Sequence, residues 1–237
     1  MTKLSIIIPV YNEVKTIKSI IEQVKAIDLK GVKKELIVID DGSVDRTQDV
    51  LAKIQEIKFV VHEKNKGKGM AIRTGIKHAT GDIIIIQDAD LEYNPADYPA
   101  VLQPILNGET KVVFGSRFMP GAKKLTRNKL SRYKGNEIYY LGNKFLSFCV
   151  GLLYGRKITD METCYKAFTA DVIKNIPLKS QRFDFEPEIT AKLLKRGHHI
   201  IEVPIRYTPR SFEEGKKITW KDGVKAAFCL VKYRFVD

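Results

Sequence analysis

The stretch GDIIIIQDADLEYNP, Gly81 to Pro95, sets four consecutive isoleucines (Ile83 to Ile86) ahead of carboxylates at every second position, Asp88, Asp90 and Glu92. Four β-branched apolar residues in a row disfavour a helix and are too few to cross a bilayer, so they predict a central strand buried on both faces. Side chains two apart share a face of an extended chain. Asp88 and Asp90 therefore converge, joined by Glu92 if the extension persists. Converging carboxylates repel one another unless a cation lies among them, and an all-oxygen set suits Mg²⁺ or Mn²⁺. The competing reading of the same residues is a solvated acidic loop.

Upstream of this run, strand and helix alternate. LSIIIPV reads as a strand, and TIKSIIEQVKAI places Ile17, Ile20, Ile21, Val24 and Ile27 on one helical stripe. ELIVID is a second strand, VDRTQDVLAKIQEI a helix, KFVVHE a third strand and GKGMAIRTGIKHA a helix leading into the isoleucines. Continuous rather than alternating apolar strands predict a mostly parallel α/β sheet covered by helices on both faces, with right-handed crossovers. Ligands of such sheets bind beyond the carboxyl ends of the strands. Those ends carry Tyr11, Asn12 and Glu13, then Asp40, Asp41 and Gly42, then Asp88 and Asp90.

The chain has 237 residues with 44% apolar content, enough for one large domain spanning 1–237. Its charge of +13 is unevenly placed: residues 1–107 carry 15 Lys/Arg against 15 Asp/Glu, and residues 108–237 carry 26 against 13. That suggests a neutral half, 1–107, reading one ligand and a basic half, 108–237, suited to a polyanionic partner such as membrane phosphate, nucleic acid or a phosphorylated substrate or, more plainly, a lysine-rich solvated surface. Three scattered cysteines without a CxxC pair argue for a reducing compartment and against structural zinc. MTKLSIIIPVYNE has no signal-peptide cleavage pattern, which predicts a cytoplasmic location.

Each strand end can be given a task. Tyr11 offers an aromatic face to a base, and Asp40 and Asp41 can accept from base N–H or ribose hydroxyls. KNKGKGMAIRTG, with Gly67, Gly69, Lys68 and Arg73, opens a helix whose N-terminal amides and cations suit a diphosphate. Neither a P-loop nor GxGxxG is present, which weighs against ATPase and dehydrogenase chemistry.

In order along the chain, PVYNE (Pro9 to Glu13), VIDDGSVDRT (Val38 to Thr47), NKGKGMAIRTG (Asn65 to Gly75), DADLEYNP (Asp88 to Pro95) and VVFGSRF (Val112 to Phe118) resemble the motif series of family 2 glycosyltransferases of the GT-A, Rossmann-like fold. TDMETCYKAF, RFDFEPEITAKLLKRG and EGKKITWKDG extend the resemblance to the polyprenyl- and dolichyl-phosphate mannosyl- and glucosyltransferases. The resemblance implies a nucleotide-sugar donor, a divalent cation and a lipid-phosphate acceptor. By matching position Pro9, Tyr11, Glu13, Val38, Asp40, Asp41, Lys68, Asp88, Ala89 and Asp90 would line the donor site, and Asp88, Asp90 and Glu92 would hold metal. Many synthases of this type carry Gln where this chain has Glu92. The segments ETCYK and EGKKITWKDG lean towards UDP-glucose over GDP-mannose.

The implied chemistry needs the leaving diphosphate stabilised, for which Arg210, Lys216 and Lys217 in YTPRSFEEGKKITW are the candidates. Arg117, after the fifth strand, and Arg132, in KKLTRNKLSRYK, would grip the acceptor phosphate bidentately. A phosphate acceptor is its own nucleophile. A sugar hydroxyl acceptor would need a carboxylate base, with Asp160 or Glu162 as candidates; a helix cap and a structural hydrogen bond are the alternatives for these two.

IYYLGNKFLSFCVGLLYG (Ile138 to Gly155) is too short and interrupted for a comfortable span, and WKDGVKAAFCLVKYRFV places Trp220, Val224, Ala227, Phe228 and Val231 on one face of a basic amphipathic helix. Both either lie at an anionic membrane surface, making the protein peripheral, or simply cover the sheet. A sugar nucleotidyltransferase would show a Gly/Arg-rich signature after the first strand, which is absent. A nucleic-acid module would have no use for the carboxylate set, so no nucleic acid is expected.

Overall fold

A computed structural model describes residues 1–122, 137–210 and 220–237. The elements run β1 (Thr2–Val10), α1 (Ile17–Ala26), β2 (Val32–Asp40), α2 (Thr47–Leu51), β3 (Lys58–Val61), α3 (Lys68–His78), β4 (Ile83–Ile86), α4 (Tyr98–Leu106) and β5 (Val112–Ser116). They continue with α5 (Glu137–Tyr154), β6 (Lys166–Thr169), α6 (Ala170–Lys174), α7 (Phe185–Lys195), β7 (Ile200–Pro204) and α8 (Trp220–Phe235). The strands form one sheet in the order β3-β2-β1-β4-β6-β5-β7. β1 pairs in parallel with β2 and β4, putting Ile6 beside Leu36 and Ile85. Only β6 runs against its neighbours, with Ala167 between Ile85 of β4 and Val113 of β5. The predicted mostly parallel sheet flanked by helices is thus observed.

Apolar burial explains why these strands are central. Ile6, Ile7, Ile8, Ile37, Val38, Ile84 and Ile85 are fully buried, and helices cover the sheet as two-sided apolar strands require. Helix α3 lies so close to β1 that a methyl on Gly75 would come within 2.4 Å of Ile7 Cγ2. Because β1 leads to β2 on one side while β4 joins on the other, the chain reverses its spread between β1 and β4. In sheets of this kind the ligand crevice lies at that reversal, beyond the carboxyl ends of the strands.

One sequence expectation changes, and one pair of alternatives is decided. The helix expected across VDRTQDVLAKIQEI stops at Leu51, where Lys53 and Ile54 bond three residues back and Glu56 takes a left-handed φ of 59°. The apolar stripe of the C-terminal helix does not cover the sheet. Ala226, Cys229, Leu230 and Tyr233 of α8 face the core, while Val224, Phe228, Val231 and Phe235 stay exposed. Helix α5 repeats the pattern, burying Asn143, Leu146, Ser147 and Val150 and exposing Leu141, Phe145, Phe148 and Leu152. The helices pack together, Tyr154 Oη donating to the Leu230 carbonyl. Among the described residues no helix is long and apolar enough to cross a membrane.

Candidate active site

The end of β1 is stitched to the loop after β2. Asn12, at a left-handed φ of 53°, donates its backbone N–H to Ser43 Oγ at 2.9 Å, while its Oδ1 accepts from Val44 N at 2.9 Å. Pro9 and Val38 are buried in the strands, leaving half-buried Tyr11 and buried Glu13 at the crevice edge. Asp40 is fully buried. Its Oδ1 accepts from Ser43 N (2.8 Å) and Gln48 Nε2 (2.9 Å), whereas Oδ2 has no partner. An acceptor left bare at a buried strand end costs free energy until a ligand donor meets it.

Asp41 has a different task from the one its neighbour suggests. It accepts from Lys66 N (2.9 Å), Gly67 N (2.7 Å) and His62 Nδ1 (2.7 Å), the ring meeting Thr74 Oγ1 on its other side. Asp41 therefore ties down the entry to α3 instead of facing a nucleoside. The glycines there serve close packing: a Cβ on Gly67, at φ 94°, would lie 2.3 Å from the Gln181 carbonyl, and one on Gly69 2.9 Å from that of Arg182. With Lys66 N and Gly67 N given to Asp41 and Met70 N donating to Gln181 O, three amides around this helix start are committed within the protein and only part of the expected diphosphate cradle stays open. Lys68 alone reaches the crevice, its Nζ 2.9 Å from Asp88 Oδ1 and 3.3 Å from Glu186 Oε1. Burial works to neutralise this lysine, but Asp88, then Cys164 and Glu186, hold its pKa well above normal.

After β4 the extension does not persist. Leu91 turns at a left-handed φ of 64°, so Glu92 leaves the face shared by Asp88 and Asp90. Its Oε2 accepts from Tyr207 Oη (2.9 Å) and its Oε1 from Arg210 N (2.6 Å), which corrects the expected three-carboxylate face. Glu92 instead anchors the strap after β7, helped by Thr208 N donating to Glu92 O and by the Tyr93–Tyr207 bridge. That strap delivers Arg210 to the crevice. Its guanidinium grips Glu13 through two bonds (3.1 and 3.0 Å) and Asp90 Oδ2 at 3.0 Å.

Burial first, then Asp88 and Glu92, raise the pKa of Asp90 to about 7 against the opposing pull of Arg210. A carboxylate so disfavoured gains from an added cation. Asp88 and Asp90, with Ala89 buried between them, are the donors that fit a divalent ion. No ready-made cage of three His, Cys, Asp or Glu side chains exists among the described residues, so phosphate or water oxygens would complete the coordination.

Arg117, just beyond β5, is seated by Asp160. Its backbone N, Nε and Nη2 donate to that carboxylate at 2.9, 2.7 and 2.7 Å, and its guanidinium stacks 5.0 Å from the Tyr207 ring. Asp160 is fully buried and also accepts from Asn143 Nδ2 (3.2 Å). Both oxygens being committed, it is an anchor for Arg117 rather than a free base. Glu162 is half-buried; burial first, then Glu186, raise its pKa to about 8, with Lys166 and Arg117 opposing. Arg132, Lys216 and Lys217 lie outside the described residues.

The sequence reading missed Glu186, Tyr207 and the Glu13–Arg210 pair. Glu186 had a usable signal, a carboxylate amid the apolar residues of FEPEITAKLL, whereas the other two rest on contacts between positions some 115 to 197 residues apart.

Comparison with known proteins identifies the family and the fold. Residues 5–176 match glycosyl transferase family 2. The chain is 30% identical over 236 residues to the UDP-N-acetylglucosamine–dolichyl-phosphate N-acetylglucosaminyltransferase of Methanococcus voltae, covering 90% of this chain and 89% of the relative. It is 28% identical over 225 residues to the dolichol-phosphate mannosyltransferase of Pyrococcus furiosus, covering 90% of this chain and 59% of that longer protein. A crystal structure of glucosyl-3-phosphoglycerate synthase from Mycobacterium tuberculosis, in complex with Mg²⁺ and UDP, superposes with a TM-score of 0.73 at 20% identity, over 100% of this chain and 80% of that one. The chain belongs to family 2 of the glycosyltransferases, an enzyme of the GT-A fold.

Proposed function

We propose that this enzyme transfers a hexose from a nucleotide-sugar, UDP-glucose or GDP-mannose, to the phosphate of a polyprenyl or dolichyl phosphate, inverting the anomeric carbon. The observation that carries the reading is the order of unlike groups along one rim of the sheet. Bare Asp40 Oδ2 lies at the end of β2, Asp88, Asp90 and Arg210 at the β1/β4 crevice, and the anchored Arg117 beyond β5. Base or ribose donors suit Asp40, a diphosphate suits Arg210, and a phosphate acceptor suits the guanidinium edge of Arg117 not used on Asp160. The acceptors named for two relatives agree with a lipid phosphate.

Asp88 and Asp90 would hold a Mg²⁺ or Mn²⁺ ion, whose contribution when bound is Lewis-acid stabilisation of the leaving diphosphate. Arg210 then has two partners to choose from, Asp90 or the diphosphate, and exchanging the first for the second brings positive charge onto the leaving group. An acceptor phosphate, with a second pKa of about 6, is largely dianionic at pH 7 and needs no base. Its oxygen attacks C1 from the face opposite the nucleotide, the C1–O bond breaks, and the electron pair leaves on the diphosphate. Arg117 orients the attacking phosphate, and Asp160 holds Arg117 in place.

The exposed stripes of α5 and α8, with Lys144, Arg156 and Lys157 beside one and Lys225, Lys232 and Arg234 on the other, favour peripheral contact with an anionic bilayer on its cytoplasmic face, where the acceptor's phosphate would lie. The test is a panel of UDP- and GDP-sugars with Mn²⁺ and a short polyprenyl phosphate or the matching polyprenol. Product from the phosphate alone is expected. Product from the polyprenol, or from no pairing, overturns the acceptor assignment. Flotation with anionic liposomes at low salt, lost in Phe145→Ser/Phe228→Ser, tests the membrane contact.

A further inference from the structure

Six buried side-chain oxygens among the described residues have no hydrogen-bond partner, and three of them, Glu162 Oε1, Thr163 Oγ1 and Glu186 Oε2, belong to one corner. That corner lies where the chain enters β6 and α7. Glu186 is 5% exposed, and its other oxygen meets Lys68 Nζ at 3.3 Å. The same ammonium holds Asp88 at 2.9 Å, so Glu186 is one lysine away from the crevice. Buried Lys166 donates to the carbonyls of Met161 and Thr163 and fixes the turn that presents Glu162.

Bare buried acceptors call for a ligand that brings donors. A phosphate does not suit the corner, because it brings acceptors to oxygens that lack donors and meets the Glu186 carboxylate. A nucleobase belongs at the other end of the rim: in the order β2-β1-β4-β6, Asp40 ends β2, two strands (about 10 Å) from β4, whereas this corner lies one strand (about 5 Å) past β4 on the opposite side. With base near Asp40 and diphosphate near Asp88 and Arg210, the next group along the donor is its hexose. We propose that Glu162 and Glu186 read the hydroxyls of the donor hexose and so set which sugar the enzyme accepts. This rests on the donor reading above and adds the residues that choose its sugar. A site built to accept from a hydroxyl rejects the analogue that lacks it far more strongly than an apolar pocket does.

The test compares wild type, Glu162→Gln, Glu162→Ala and Glu186→Gln by calorimetry, with Mn²⁺ and UDP, UDP-glucose, GDP, GDP-mannose, and singly deoxygenated forms of the sugar that binds. Each variant is expected to lose tenfold or more in affinity for the nucleotide-sugar, with less than a twofold change for the bare nucleoside diphosphate. Wild type should discriminate at least tenfold against one deoxy donor, and a variant should lose that discrimination. Because Glu186→Gln also loosens Lys68, the two Glu162 variants carry the test if that protein fails to fold. Equal losses for nucleotide-sugar and nucleoside diphosphate, or no loss for either, overturn the assignment alone. A wild type that binds nucleoside diphosphate and nucleotide-sugar with equal affinity also overturns it, and one that binds neither overturns the donor reading as well.

Discussion

Substituting Asp160→Asn separates two roles for this carboxylate. As the anchor of Arg117 it accepts three bonds from that residue at 2.7 to 2.9 Å while fully buried, with Arg117 nearly as enclosed. Asparagine keeps one oxygen but turns an amide N–H₂ towards another donor and leaves the guanidinium without its counter-charge. Removing one partner of a buried ion pair costs about 3–5 kcal/mol, and the retained acceptor recovers part of it, so a loss of about 3 kcal/mol is expected. Against a typical stability of about 5–15 kcal/mol the variant still folds. Urea titration should show that loss, and steady-state kinetics should show a KM for polyprenyl phosphate raised about tenfold or more, from the misplaced guanidinium. A general base would behave in the opposite way. If Asp160→Asn keeps its stability within 1 kcal/mol and its acceptor KM, yet loses a hundredfold or more in kcat, the anchor reasoning is refuted.

Arg210→Gln is expected to bind Mn²⁺ about 5- to 30-fold more tightly than wild type without nucleotide, because a contact of about 1–2 kcal/mol competing for Asp90 is gone. Unchanged or weaker Mn²⁺ binding, read by electron paramagnetic resonance, contradicts that competition. Between pH 4.5 and 8 the folded protein holds a proton on Glu162 that the unfolded chain has released, so stability falls as pH rises across this window. The fall is about 3–4 kcal/mol and should be smaller in Glu162→Gln when urea midpoints at pH 5 and pH 8 are compared. Gly75→Ala forces a methyl against Ile7 and is expected to cost about 1–3 kcal/mol, and a thermal midpoint equal to wild type would show that α3 and β1 pack more loosely than described.

The sequence by itself determined the sheet and where to look on it. Runs such as Ile83–Ile86 can only be buried from both sides, and buried parallel strands put their polar continuations, Asp40, Asp88 and Asp90, on one rim. What those side chains do there was decided by contacts distant in sequence. Adjacent Asp40 and Asp41 look alike in VIDDGS, yet one keeps a bare oxygen and the other is consumed by Lys66, Gly67 and His62. Period-two spacing placed Glu92 with Asp88 and Asp90, until one left-handed residue, Leu91, handed it to Tyr207 and Arg210. The stripe in α8 was equally legible, but only packing could say that Leu230 and Tyr233 face inward and Phe228 outward. The physical reason is common to all of these. Burial pattern is a local property of the chain, written residue by residue, whereas the partner of a charged group is set by which segments the fold brings within 3 Å of it.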